Sequence, residues 1–424
     1  MKKLFLCCLL ASLGASAQSL SKPEQGLIAS VKKNMPETEA FLEKVVNINS
    51  GTLNKEGVRQ VGKLMADEFD KLGFKTEWVT LPDSLNRAGH LVATRQGKKG
   101  KKLFLIGHLD TVFEKSLPMD PYTRVNDSTV AGQGVNDMKG GDVVVIAALK
   151  ALHEQKLLDD TSITIYFTGD EESSGGPESR RDFIERARKC DVALGFESAQ
   201  GLRYVTTGRR GASGWTLNVK ARSGHSSRIF SDLGYGAIYE AARILTEFRR
   251  TLGQEQYLTF NPGLIVGGAE VKYDEKTAKA VVDGKTNIVA GTALVKGDLR
   301  FLTEAQKEKA RAKMREIVDK SLPLTKATIT FTDGIPGMEP TAANDELRKQ
   351  VDKISRDMGI GPVEAFDPGA RGAGDISFVA QYMPCLDGLG ASGKGAHSIE
   401  ETMNSKEFPV LIQRAAVMIY RMTR

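Results

Sequence analysis

Three short runs constrain the first half of the chain most: KLFLIG (102–107), SITIYFTG (162–169) and DVALGFES (191–198). They are apolar over successive residues, which suits strands buried on both faces of a sheet. Between the first two lies GGDVVVIAALKALHEQ (140–155), apolar on nearly every face and read as a buried helix. A helical stretch from about Glu178 to Lys189 separates the second from the third. Upstream, GVRQVGKLMADEFDKLG (57–73) places Val58, Val61, Met65 and Phe69 at amphipathic helical spacing. Strands alternating with helices predict an α/β fold with a mostly parallel sheet flanked by helices.

The middle changes style. GWTLNVKA (214–221) reads as a strand, followed by a helix at about 235–250 with Ile238, Ala241, Leu245 and Phe248 on one face. Two strands follow, YLTFNPGLIVGG and TNIVAGTALVKGDLRF, then a helix opening at Thr303 with Gln306 as its capping-box partner. KATITFTDG (326–334) closes a β-α-β-β-α-β set, the split ferredoxin-like order. The α/β style then resumes with helices at 344–358, 375–382 and 406–422. The expected organisation is a signal peptide (1–17), a catalytic domain in two parts (18–209 and 334–424), and an inserted α+β lid (210–333).

The start, MKKLFLCCLLASLGASAQ, has two lysines, an apolar run and the ending Ala15-Ser16-Ala17, which reads as an export signal cleaved near Ala17. A secreted or periplasmic product is expected. Cleavage removes two lysines and no acid, taking the formal net charge from +6 to +4. The basic residues are scattered, and only GKKGKK (97–102) is dense, read as a hairpin tip. No aromatic-basic stripe accompanies it, so nucleic acid is not an expected partner, and no later run is long enough to span a membrane. Cys190 and Cys385 remain after cleavage and are expected as buried thiols.

Sites in parallel sheets form beyond the carboxyl ends of the strands. There the chain concentrates acids and histidines: His108 after KLFLIG, then Asp170, Glu171 and Glu172 after SITIYFTG, and Glu197 closing DVALGFE. Asp137 precedes the buried helix, and His397 sits in the glycine-rich GASGKGAHSIEE. Any one of these residues alone reads as a solvated loop residue, and His90 and His153 are given that reading. Together, two imidazoles and three or more carboxylates at one sheet edge suit divalent zinc. Asp137, short and fixed at a helix entrance, fits a carboxylate bridging two ions. Asp110 lies two residues after His108, so in extended chain both side chains point the same way and its carboxylate can accept the imidazole N–H. Of the adjacent Glu171 and Glu172, one suits a metal and the other a general base. Glu171 is assigned the base, and spacing alone leaves the swap open.

The motifs GHLDTVF, GQGVNDMKGG, TGDEESSG, GFES and GKGAHSIEE occur in that order. With the inserted lid, the chain resembles the zinc-dependent aminoacylase/carboxypeptidase family, most closely its glutamate carboxypeptidase branch, over nearly all its mature length. The resemblance implies a phosphorylase/hydrolase-like zinc peptidase domain and two Zn2+ per subunit, with Co2+ or Mn2+ as alternatives. It implies His108, Asp137 and Glu197 at one ion, and Asp137, Glu172 and His397 at the other. Glu171 would be the base and Asp110 the orienting residue. His225 in ARSGHSS would polarise the scissile carbonyl, with Asn287 and Arg300 on the substrate's terminal carboxylate. The expected substrate is a small peptide or N-acyl amino acid, and a homodimer through the lid is left open. Two loops depart from the family: NIVAG lacks the usual Asn-Ile-Ile-Pro proline, and RGAGDIS (371–377) replaces Gly-Gly-Gly-Thr-Asp. The competing readings are an N-acyl-amino-acid deacylase and a non-catalytic metal- or peptide-binding protein. Arg209, Arg210 and Arg371 could select an acidic substrate, with scattered surface arginines as the commoner reading.

Overall fold

The computed structural model describes residues 20–424. The export-signal reading of residues 1–17 lies outside them. Six strands form the main sheet, in the spatial order Lys75–Val79, His90–Arg95, Thr161–Thr168, Lys99–His108, Val192–Gly195 and Cys385–Leu386. The last four pair in parallel, and the first two pair antiparallel at one edge. The apolar runs explain the layering. Leu103 and Leu105 enter the core under the helices Lys22–Val46, Lys139–Glu154 and Phe408–Met422, while Phe104 and Ile106 enter a second core on the opposite face with Tyr166 and Phe183. Successive side chains point to opposite faces, so a strand covered on both sides must be apolar throughout.

The register sets the site. His108 pairs with Thr168, and Ile106 with Gly195. The chain segments leading to Glu171 and Glu197 therefore leave the sheet at the rim where His108 ends.

The inserted unit is built on a four-stranded antiparallel sheet in the order Thr259–Gly268, Thr292–Phe301, Gly211–Ala221, Thr325–Asp333. Its helices, Gly236–Leu252 and Glu304–Asp319, pack over a separate core around Trp215, Phe248 and Met314. Thr303 Oγ1 accepts the amide of Gln306, while Gln306 Oε1 accepts the amide of Leu302, one residue earlier than a capping box requires.

Several expectations are corrected. Ala237, Ala241, Ile244 and Phe248 form the buried face of the first lid helix, and Ile238 is 51% exposed. GKKGKK is no hairpin tip, because Thr161–Thr168 lies between the two strands that flank it. The helix expected at 375–382 is a single 3-10 turn, Asp375–Phe378, because buried ion pairing and a threonine hydroxyl hold the Asp375 carboxylate in place. The Lys22–Val46 helix and the hairpin Glu270–Asp274/Lys279–Asp283 were not anticipated. Cys385 is buried and Cys190 half-buried, both as free thiols. Among the described residues no helix is long and apolar enough to cross a membrane.

Candidate metal centre

His108 Nδ1 lies 3.0 Å from the backbone carbonyl of Asp110. A carbonyl only accepts, so Nδ1 carries the proton in the neutral ring and Nε2 presents its lone pair. That Nε2 is buried, has no hydrogen-bond partner among the described residues, and faces Asp137 Oδ1 at 3.3 Å and Glu197 Oε1 at 3.7 Å. The other oxygen of Asp137, Oδ2, is 3.2 Å from His397 Nε2, which also stands 3.1 Å from Glu172 Oε2. His397 has φ +65°, a left-handed conformation that costs a non-glycine residue energy and often marks functional sites.

Supporting bonds fix the set. Asp110 accepts the amides of Glu171 on Oδ1 at 3.0 Å and of Glu172 on Oδ2 at 3.2 Å, with Thr52 Oγ1 donating at 2.6 Å. Its carboxylate is 3.6 Å from His108 Nδ1, beyond hydrogen-bond range, so the expected carboxylate–imidazole bond is replaced by the carbonyl contact. Glu401, absent from the sequence-derived set, accepts three backbone amides: Asn136 and Asp137 on Oε1 at 2.8 and 2.9 Å, and Gly134 on Oε2 at 2.8 Å. The only hint in the sequence was an acid four residues past His397. Asp170 belongs elsewhere, pairing with buried Arg180, which also donates to Asp375. His90 is buried against Ser179 and the Gly169 amide, and His153 is exposed.

The electrostatics call for a cation. Burial, and then the charge of Glu197, push Glu171 well above the usual carboxylate range. Burial, with Asp137 nearby, moves Glu197 up to about 7 although Arg209 opposes it. Hydrogen bonds to Asp137 and Glu172 push His397 up to about 11. Burial would lower His108, but Asp110 and Asp137 carry it well above its ordinary value. Without bound cations, the acids therefore hold protons on the histidines.

The residues fit divalent ions. A lone pair aimed at two carboxylates is repulsive unless positive charge lies between them. Ligand atoms sharing a tetrahedral ion at about 2.0–2.1 Å stand roughly 3.3 Å apart, close to the separations above. One potential ligand atom each from His108, Glu171 and Glu197, and likewise from His108, Asp137 and Glu172, lies within 4.8 Å of the others in its group. A cleft of about 340 Å³ opens on Asp137, Glu171, Glu197 and His397.

Among the described residues, none of His225, Asn287 or Arg300 lines that cleft. His225 is exposed on the lid and bonded to Ser227 Oγ at 2.8 Å, Asn287 is exposed, and Arg300 donates to Asp298 at 2.9 Å. Arg209 and Arg371, read as surface residues, do line it.

Peptidase family M20/M25/M40 matches residues 104–421. The chain is 27% identical to carboxypeptidase G2 of Pseudomonas sp. (strain RS-16), covering 94% of this chain and 92% of that one. It is 26% identical to succinyl-diaminopimelate desuccinylase of Hydrogenovibrio crunogenus, covering 92% and 98%. The crystal structure of aminopeptidase PepT from Bacillus cereus superposes with a TM-score of 0.73 at 16% identity, covering 91% and 98%.

Proposed function

The chain belongs to peptidase family M20/M25/M40, a hydrolase of the zinc-dependent peptidase and aminoacylase class, and we propose that it is an exported dizinc exopeptidase of the glutamate carboxypeptidase type. Its reaction is hydrolysis of an amide bond next to a free carboxylate. The observation that carries this reading is the division of one carboxylate, with Asp137 Oδ1 toward His108 and Oδ2 toward His397.

In this reading His108, Asp137 and Glu197 would hold one ion, and Asp137, Glu172 and His397 would hold the other. Bound zinc supplies Lewis acidity, polarising a carbonyl and making water more acidic. Glu171 takes the proton of the attacking water on its carboxylate and returns it to the leaving nitrogen. Its raised affinity for a proton suits that cycle, and cations beside it would lower that affinity again. Asp110 holds the amides of both glutamates, so their side chains diverge toward separate tasks. Closure of the lid would bring His225 to the carbonyl oxygen, with Asn287 and Arg300 on the terminal carboxylate. A homodimer through the lid and export directed by residues 1–17 complete the proposal. Its support is the 27% likeness to carboxypeptidase G2 and the order of the five motifs in this chain.

A second reading, deacylation of N-acyl amino acids, draws on the 26% likeness to a desuccinylase. Both are tested by metal analysis of the purified protein and a panel of peptidyl-glutamates and N-acyl amino acids, with and without chelator. Two zinc ions per chain and chelator-sensitive release of glutamate are expected. Glu171→Gln should retain both ions while kcat falls about 100- to 10,000-fold. Full activity in that variant would remove Glu171 from its role.

A further inference from the structure

Two guanidinium groups stand in the cleft beside the acids, and they are committed differently. Arg209 is buried and ion-paired, although its Nη2, 3.7 Å from Glu197 Oε2, makes no hydrogen bond among the described residues. Its Nε donates to Asp387 at 2.6 Å, and its Nη1 donates to the carbonyls of Gly372 at 3.1 Å and Ala373 at 3.0 Å. Those carbonyls belong to the loop RGAGDIS, so Arg209 fixes the segment that presents Arg371. Gly374 makes the close approach feasible, since a Cβ there would lie 2.7 Å from Arg209 Nη1. The departure from Gly-Gly-Gly-Thr-Asp is therefore a coupled arrangement of Arg209, Arg371 and Gly374.

Arg371 is uncommitted. Its Nε is buried without a hydrogen-bond partner, and among the described residues no carboxylate pairs with its guanidinium. It lines the same cleft as Asp137, Glu171, Glu197 and His397. Asp137 and Glu197 face the imidazoles, and Glu171 groups with His108 and Glu197 around the space for a cation, so these carboxylates are not free to neutralise it. A half-buried, unpaired guanidinium has lost part of its hydration, and a planar anion returns that loss through two parallel N–H bonds.

We propose that Arg371 is a specificity-determining residue that binds a carboxylate of the substrate from the catalytic side of the cleft, separately from Arg300 on the lid. The inference rests on the hydrolase reading for its assay. The ligand chemistry is a carboxylate, either the terminal one or a side-chain one, and the test separates them.

The zinc-loaded full chain and its Arg371→Gln and Arg371→Lys variants are assayed on N-acyl dipeptides with each carboxylate present as the acid or as the neutral amide. Arg371→Gln should raise KM for one acid about 10- to 100-fold. Its kcat should stay within about threefold, and the matched amide should be unaffected. Arg371→Lys should restore part of the loss, because it keeps the charge without the fork. The arm that moves identifies the carboxylate. Equal effects on acid and amide, or no effect on either, overturn the proposal. If the wild type cleaves nothing, the hydrolase reading fails by itself. Calorimetric binding of the same pairs then decides for Arg371: an acid preference lost in Arg371→Gln supports it, and equal binding of acid and amide overturns it.

Discussion

Asp110 takes the backbone amide of Glu171 on its Oδ1 at 3.0 Å, and so fixes where the proposed base leaves the sheet. Its other oxygen takes the next amide, that of Glu172. In Asp110→Asn one of these acceptors becomes an NH2 group facing an N–H, and the acid loop must shift. All five proposed metal ligands are kept. We expect metal content near that of the wild type and kcat lower by about 10- to 100-fold. Metal analysis beside steady-state kinetics checks this, and loss of metal in step with activity would refute the positioning role.

Glu401 does for Asp137 what Asp110 does for Glu171, binding three amides of the loop that carries the shared carboxylate. Glu401→Gln replaces one acceptor oxygen with a donor. Ligand-supporting groups of this kind typically cost about 10- to 100-fold in metal affinity when altered. Competition against a chromogenic chelator should show that loss, with the far-ultraviolet circular dichroism unchanged. Wild-type affinity would relegate Glu401 to loop packing alone.

What could be read from the sequence divides by physical cause. His108, Glu171 and Glu197 were legible because each follows a buried apolar strand, and parallel register delivers such strand ends to one rim. Asp110 was found but given the wrong contact, since period-two alternation does not govern side-chain direction once the chain has left the strand. Its backbone carbonyl, rather than its carboxylate, reaches His108. For Arg209 and Arg371 the sequence favoured scattered surface arginines over contact with an acidic substrate, because only loop packing decides whether an arginine is solvated or enclosed. The lid helix was placed correctly while its face was shifted: Ile238 fits the period as well as Ala237 does, and only the sheet beneath selects between them. The hairpin at Glu270–Asp283 went unseen because its alternating residues are largely exposed and carry little apolar signal.

A prediction about pH comes from the far side of the molecule. Arg421 in the last helix donates to Glu24 at 2.6 Å and to Asp357 at 2.8 Å, joining three helices. Burial raises both carboxyls, but hydrogen bonds outweigh it: those of Arg421 and Ser21 at Glu24, and those of Arg421 and Lys353 at Asp357. Both end below their ordinary values. A carboxyl depressed in the folded state adds stability that is fully present above its unfolded pKa, about 4. The contribution is lost as pH falls through the folded value. Arg421→Ala should therefore be less stable than the wild type at pH 7, and the gap should close progressively below about pH 4. Urea unfolding at pH 7, 5 and 3 measures it, and a gap that stays constant or widens in acid would contradict the assignment.

The metal centre itself predicts a proton count. Asp137, Glu172 and Glu197 surround two imidazoles whose proton affinity they raise, so the metal-free site at neutral pH stores protons where ions would sit. Binding a divalent ion must displace them, which makes affinity fall as pH falls. Titrating zinc into the chelator-treated protein in two buffers of different ionisation enthalpy should show at least one proton released per site. Stability follows the same linkage. Zinc at 100 times its dissociation constant adds about 2.7 kcal/mol, so chelation should lower the melting temperature more at pH 8 than at pH 6. Asp137→Asn, which keeps the shape but removes the shared charge, should abolish most of both effects. Zinc binding with no proton release, or a melting temperature indifferent to chelator at pH 8, would mean that these side chains gather for some purpose other than holding metal.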